Sequence, residues 1–270
     1  MKKELYTITT LSNLHVGAGD VNFDIIDKQV QKDAITTLPT IHSSSLKGAF
    51  REAAGEGSNY TNYIFGPDNS SNDSHQTGAF HFFEASLLAR PVRSNKKPYF
   101  LATSVGVLAT FLDYLEDFEI DFPEATKKAL TMLSKEKVEE GKPLVFEDLK
   151  EVILEDHEAK VSSTDVSALN DLLGQDIALF SDEDFKDLSL PVLARNYLVN
   201  GESKNLWYEE VVPKKSMFYF TIAKPTNLDE ADKKEKIDAF EKRFDAQNTV
   251  QIGANKSIGY GVCKLQKVSL

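Results

Sequence analysis

Three glycines interrupt the last apolar, strand-patterned run of the chain, Gln251-Ile252-Gly253-Ala254-Asn255-Lys256-Ser257-Ile258-Gly259-Tyr260-Gly261. Glycine weakens a strand, so such a run suits main chain that takes positive φ or is approached closely by a neighbour. The pattern predicts an exposed loop with N–H groups that no side chain shields and with Lys256 among them, a setting fit for an extended anion. Its spacing matches neither a P-loop nor G-x-G-x-x-G. A plain glycine-rich hairpin satisfies it equally. The balance shifts with a second loop of this kind, His15-Val16-Gly17-Ala18-Gly19, near the other end of the chain.

With 270 residues, 41% hydrophobic and 27% charged, the chain can bury one large core or two modest ones. No stretch approaches the roughly 18 apolar residues of a membrane span, and the first residues lack the order of a signal peptide. A cytoplasmic protein with no membrane partner is expected. The single cysteine, Cys263, excludes an internal disulfide and a Cys-rich zinc site, and reads as a small buried hydrophobe.

The net charge of −11 is unevenly spread. Residues 111–190 hold 22 Asp and Glu against 8 Lys and Arg, leaving 20 acids against 23 bases elsewhere. Screening confines each charge to about 8–10 Å, so segregated acid leaves room for a local phosphate-binding surface while opposing indiscriminate binding. Residues 111–190 themselves read as a solvated acidic segment.

Along the chain, Leu5 to Leu11 reads as a first strand and Leu14 to Asp33 as a long loop. Ser43-Ser44-Ser45 offers an N-cap for a helix over Leu46 to Ala54, ended by Gly55. Gly66 to Thr77 is a loop, and Ala79 to Leu88 a central strand followed by the basic cluster Arg90, Arg93, Lys96 and Lys97. Residues 104–187 read as mostly helical, over Val105 to Leu115, Pro123 to Ser134, Phe146 to Leu154 and Asp165 to Leu173, forming an inserted acidic lobe. Asn200-Gly201 marks a hairpin between Val192 to Val199 and Leu206 to Val212, within a protrusion over about 190–213. Met217 to Ala223 places Phe218, Phe220 and Ile222 on one face, and Asp229 to Phe244 is a charged amphipathic helix. The order predicts a single α+β domain of the ferredoxin-like or RNA-recognition (RRM-like) type. The RNA-recognition aromatic signature is absent, so base stacking on the sheet face is not expected.

Two constellations carry chemistry. His15, Gly17 and Gly19, followed by Asp24, Asp27 and the polar run Lys28 to Asp33, set an imidazole and carboxylates beside exposed main chain. A carboxylate there can accept the 2′-OH proton of a ribose or hold a divalent metal, and an Asp in a glycine loop equally makes a local turn contact. The helix opening Ser43-Ser44-Ser45-Leu46-Lys47-Gly48 offers its first amides to a phosphate, with Lys47 and Arg51 four residues apart, or is ordinarily capped.

These pieces, in order, carry a resemblance: His15 to Gly19, Ile25-Ile26-Asp27-Lys28-Gln29-Val30-Gln31-Lys32-Asp33, Leu38-Pro39, Ser43 to Gly48, Phe65-Gly66-Pro67, Pro91-Val92-Arg93-Ser94, Asn205-Leu206-Trp207-Tyr208-Glu209-Glu210 and the final glycine loop. Over nearly its whole length the chain resembles the repeated backbone subunit of the Cmr complex, the type III-B CRISPR effector, within the RAMP superfamily. The resemblance implies a modified ferredoxin-like core whose copies stack head to tail along a CRISPR RNA, beside other Cmr subunits, and which cuts guide-paired target RNA with a divalent ion, Mg or Mn. It assigns Asp27 as catalytic and metal-binding, with His15 as a neighbour. It assigns RNA binding to the helix carrying Ser44, Ser45, Lys47, Gly48 and Arg51, and to the loop carrying Gly253, Asn255, Lys256, Gly259 and Gly261. The hairpin around Asn200 and Gly201, supported by Trp207 and Tyr208 or anchored by them, resembles a thumb that wedges between paired segments. Tyr260 stands where the family carries an arginine, removing a cation that Lys256 is placed to replace, and His42 where the family often carries a small residue. A non-cleaving filament subunit, or an unrelated α+β enzyme holding a phosphorylated small molecule, are the alternatives.

Overall fold

A computed structural model describes residues 1–19, 25–55, 59–67, 77–227, 231–246 and 248–268. Asp24 and most of the Gly66 to Thr77 loop lie outside them. The chain opens with β1 (Lys2–Thr10), β2 (Thr40–Ile41), α1 (Ser43–Ala54), α2 (Thr61–Phe65), β3 (His81–Phe82) and β4 (Ala85–Val92). The middle holds β5 (Phe100–Ser104), α3 (Val105–Asp117), α4 (Glu124–Leu133), β6 (Leu144–Val145), β7 (Ile153–Leu154), β8 (His157–Glu158), β9 (Lys160–Val161), α5 (Asn170–Leu173), β10 (Ile177–Phe180) and α6 (Asp182–Asp187). It closes with β11 (Val192–Val199), β12 (Glu202–Glu210), β13 (Met217–Lys224), α7 (Ala231–Ala246), β14 (Thr249–Gln251) and β15 (Val262–Lys267).

One mixed sheet organises the molecule, in the order β14-β15-β1-β13-β4-β5-β10-β6-β9. In its first half every neighbour is antiparallel, and β1 lies between β13 and β15. Every residue of β13 is buried, where the sequence pattern predicts one apolar face. Helices cover both sides of it. Phe220 meets Phe50 of α1, which packs on Phe240 and Phe244 of α7, while Tyr219 faces the other way onto Phe111 and Tyr114 of α3. A strand buried on both faces loses its alternation.

The stretch over 104–187 is less helical than its apolar spacing predicts. Phe146 to Leu154 forms no helix and ends in β7; Glu151 within it and Glu155 just after it take φ of 53° and 50°, which a right-handed helix excludes. Ile177–Phe180, four buried residues in a row, becomes β10 and pairs in parallel with β5. The lobe is therefore continuous with the sheet. Its acids are partly spent internally: Glu147 and Asp176 hold Lys97, Glu155 holds Arg93, and Asp182 accepts the Gly106 amide at 2.7 Å. Arg90 of the basic cluster is buried and donates to the carbonyls of Leu188 and Ser189 at 2.7 and 2.6 Å, and burial lowers its pKa to about 10. Arg90 is thus internal scaffolding, while Arg93 and Lys96 of the same cluster stay exposed.

β11 and β12 form a separate two-stranded ribbon, with Asn200 and Gly201 at φ 52° and 83° in its tip. Two successive positive φ values are what a two-residue turn between right-twisted strands requires.

Candidate nucleic-acid interface

The glycine loops from the two ends of the chain lie side by side. The Ala254 amide donates to the His15 carbonyl at 2.9 Å, and the Gly261 amide to Asn13 at 2.8 Å. A Cβ on Gly253 would stand 2.3 Å from the His15 carbonyl oxygen, and one on Gly261 1.9 Å from that of Ile252. Both glycines are thus required by close packing of the loops on themselves, where the sequence pattern predicts access for a ligand. Gly259 and Gly19 differ: their φ values are +82° and +100°, with open space around them. Asn255 turns the loop at φ 64° and donates from its side chain to Glu209.

His15 is buried, 4% exposed, and its Nδ1 donates to the Glu210 carbonyl at 2.7 Å. Its Nε2 faces Gly17, where a Cβ would come within 3.3 Å. The ring is a post between the first loop and the hairpin base. Leu14 and Val212 exchange amide and carbonyl bonds at 2.8 Å beside it.

Asp27 is exposed, and its Oδ2 accepts the Tyr208 amide at 2.7 Å. The Lys28 amide donates to the Tyr208 carbonyl at 3.1 Å, and the Glu210 amide returns to Lys28 at 2.9 Å. The carboxylate is therefore fixed against the root of β12, with Oδ1 making no hydrogen bond among the described residues. Glu210 takes the Val30 amide at 3.1 Å and pairs with Lys32 at 2.9 Å. Asp33 closes the polar run as a turn; its carboxylate is held below the usual range chiefly by the Thr36 amide.

Gln31 links this segment to α1. Its side-chain amide donates to the Gly17 carbonyl at 3.2 Å and to Ser45 Oγ at 3.1 Å, and its oxygen accepts the His42 amide at 2.8 Å. The helix starts at Ser43 with His42 as N-cap and no side-chain cap, so the three serines occupy the first turn. Their amides have no intrahelical partner and open beside the first loop. Ser44 and Gly48 are exposed; Lys47 is half-buried and makes no ion pair among the described residues.

Two predicted cations are already engaged. Arg51 donates to the Gly66 carbonyl at 2.8 Å, and Lys256 pairs with Glu52 across the gap between α1 and the C-terminal loop. Trp207 is half-buried, its indole N–H 3.5 Å from Glu209 and its ring 5.5 Å from Lys28 Nζ, so it anchors the hairpin base; Tyr208 is exposed. Tyr260 accepts Arg195 Nη1 at 3.2 Å, so the cation at this point of the loop comes from the hairpin. Gln31, Glu209 and Glu210 sit inside quoted motifs but signal no role before folding, and Arg195 carries no sequence signal at all.

Among the described residues no three His, Cys, Asp or Glu side chains form a group that could hold a metal ion. Asp27 offers one carboxylate, and a divalent ion held there would need further oxygen ligands beside it. Nor is any helix there long and apolar enough to cross a membrane.

A helix-flanked mixed sheet, antiparallel in its first half, whose two glycine loops close beside the exposed Asp27 carboxylate defines the class of protein. The chain belongs to the RAMP superfamily, whose model matches residues 7–264. It is similar to the CRISPR system Cmr endoribonuclease Cmr4 of Pyrococcus furiosus, at 29% identity over 98% of this chain and 95% of that protein. Its fold is similar to a chain of the type III-B Cmr-beta structure solved by cryo-EM in the apo state, with TM-score 0.79, 24% identity and coverage of 99% and 97%. It is also similar to oligomeric Cmr4 from Pyrococcus furiosus, with TM-score 0.69, 23% identity and full coverage of both chains.

Proposed function

We propose that this chain is the repeated backbone subunit of a type III-B CRISPR effector, which binds CRISPR RNA, stacks head to tail with its own copies beside other Cmr subunits, and cuts guide-paired target RNA. Similarity to an endoribonuclease along nearly the whole chain supports this reading. The observation that carries it is the convergence of both glycine loops, the first turn of α1 and the root of the hairpin around Asp27. The strand order β15-β1-β13-β4 supports the ferredoxin-like core of this reading.

In this reading the first-turn amides of α1 and the Lys47 ammonium receive guide phosphates. Arg51 and Lys256 join them by exchanging internal partners for phosphate. The hairpin acts as the thumb, entering the stack and spreading one base step, which costs on the order of a few kcal/mol. Regular A-form denies the ribose 2′-OH an in-line path to the adjacent phosphorus; a spread step restores it. Asp27 Oδ1 takes the 2′-OH proton as O2′ bonds to phosphorus and the P–O5′ bond breaks, the leaving oxygen gaining a proton from water. The products are a cyclic 2′,3′-phosphate and a 5′-hydroxyl. Asp27 would be the residue to hold a Mg or Mn ion, which would supply screening of the charge developing at phosphorus. His15, buried on the Glu210 carbonyl, acts as a positioning residue.

Complexes assembled with wild-type chain or Asp27→Ala test the proposal on a labelled target RNA. Regularly spaced cuts are expected from wild type and none from the variant, at equal guide binding. Cuts that persist in the variant would remove Asp27 from the chemistry, and no cuts from wild type would leave a non-cleaving filament subunit.

A further inference from the structure

Most cations around the two loops have their charge or donors committed. Lys256 is paired with Glu52, Lys32 with Glu210, and Arg51 donates to the Gly66 carbonyl. Arg195 differs. It is half-buried on β11, opposite Trp207 in register, and no carboxylate pairs with it among the described residues. Its guanidinium lies 5.6 Å from the centroid of the Tyr260 ring and donates through Nη1 to the Tyr260 hydroxyl. On the same side of the ribbon, Lys28 stands 5.5 Å from the Trp207 ring. A row of alternating cation and aromatic thus runs from the neighbour of Asp27 to the C-terminal glycine loop.

A guanidinium that lies over a ring and donates to its hydroxyl has little freedom left to lose, and its remaining N–H donors form a planar fork that matches phosphate. Leaving such a charge half-buried without a carboxylate costs desolvation that an arriving anion offsets. We infer that Arg195 binds a phosphate of the ribonucleotide strand, positioned by Tyr260, and so couples the hairpin root to the glycine loop. The inference rests on the RNA-binding reading above and adds a contact to it.

The test uses the full chain as wild type, Arg195→Gln, Arg195→Lys and Tyr260→Phe, with a fluorescein-labelled single-stranded RNA titrated over a series of salt concentrations. Arg195→Gln is expected to weaken binding about tenfold and to lower the log–log salt slope by about 0.7, the share of one phosphate contact on a single strand. Arg195→Lys should keep the slope while recovering part of the affinity. Tyr260→Phe, which removes the hydroxyl acceptor and keeps the ring, should keep the slope and weaken binding a few-fold. Equal affinity and slope for wild type and Arg195→Gln would overturn the inference, making Arg195 a brace between hairpin and loop while RNA binding stands. Should Arg195→Gln fail to fold, unchanged affinity in both other variants overturns it as well. Wild type that binds no RNA at any salt overturns this inference and the reading beneath it together.

Discussion

Glu4 lies in β1, buried, and its carboxylate meets three ammonium groups: Lys224 at 2.5 Å, Lys2 at 2.8 Å and Lys267 at 2.9 Å. Lys224, itself buried, also pairs with Glu241 of α7 at 2.7 Å and sits 5.6 Å from the rings of Phe80 and Phe240. Burial alone would raise the Glu4 carboxyl, but hydrogen bonds from Lys2 and Lys224 outweigh it, and its pKa falls well below the ordinary carboxylate range. A depressed folded pKa means that the ionised form stabilises the fold above the unfolded value of about 4.3, and that this stability is lost as pH falls from there through the folded value. Urea midpoints across that range should therefore drop for wild type and change less for Glu4→Gln. Lys224→Met, which leaves Glu4 with Lys2 and Lys267 but takes the Lys224 ammonium from Glu241, should cost about 1–3 kcal/mol at pH 7 by urea unfolding. At this same scale Asp27 was legible only through the resemblance, since an Asp in a polar loop has many ordinary uses. Its tie to the Tyr208 amide joins positions far apart in the chain, and no local pattern encodes it.

Among the elements, the C-terminal loop separates two kinds of glycine. Gly261→Ala must move the Ile252 carbonyl and strain a φ of +71°, whereas Gly259→Ala meets open space and only the strain of φ +82°. Thermal melts should show Gly261→Ala destabilised by about 3 kcal/mol or more and Gly259→Ala by about 1 kcal/mol. Similar small losses for both would mean that the loop's packing on itself and Asn13 is dispensable. The hairpin turn and the long helices were readable from sequence because Asn-Gly geometry and apolar spacing act within a few residues. The helix expected over Phe146 to Leu154 failed because its spacing arises from short strands and turns packing on the sheet, an outcome that periodicity alone cannot separate from a helix.

For the whole molecule, head-to-tail stacking needs two different complementary faces. Glu116, Asp117, Asp121 and Glu124, at the junction of α3 and α4, are exposed and make no ion pair among the described residues, unlike the acids that bind Lys97 and Arg93. Reversing Glu116, Asp117 and Asp121 to lysine should reduce the number of copies in assembled complexes, measured by sedimentation, with the melting temperature held. Assemblies of unchanged size would place the stacking face elsewhere.

Composition and local pattern alone set the α+β character of this protein, its glycine loops, the Asn200-Gly201 turn and the acidic middle, because propensity, φ freedom and charge are properties of neighbouring residues. Tertiary structure decided which glycines serve packing, which cations are spent on internal partners, and that Arg195 meets Tyr260 from another strand. Those outcomes depend on sheet register and loop closure, which bring together residues separated by most of the chain.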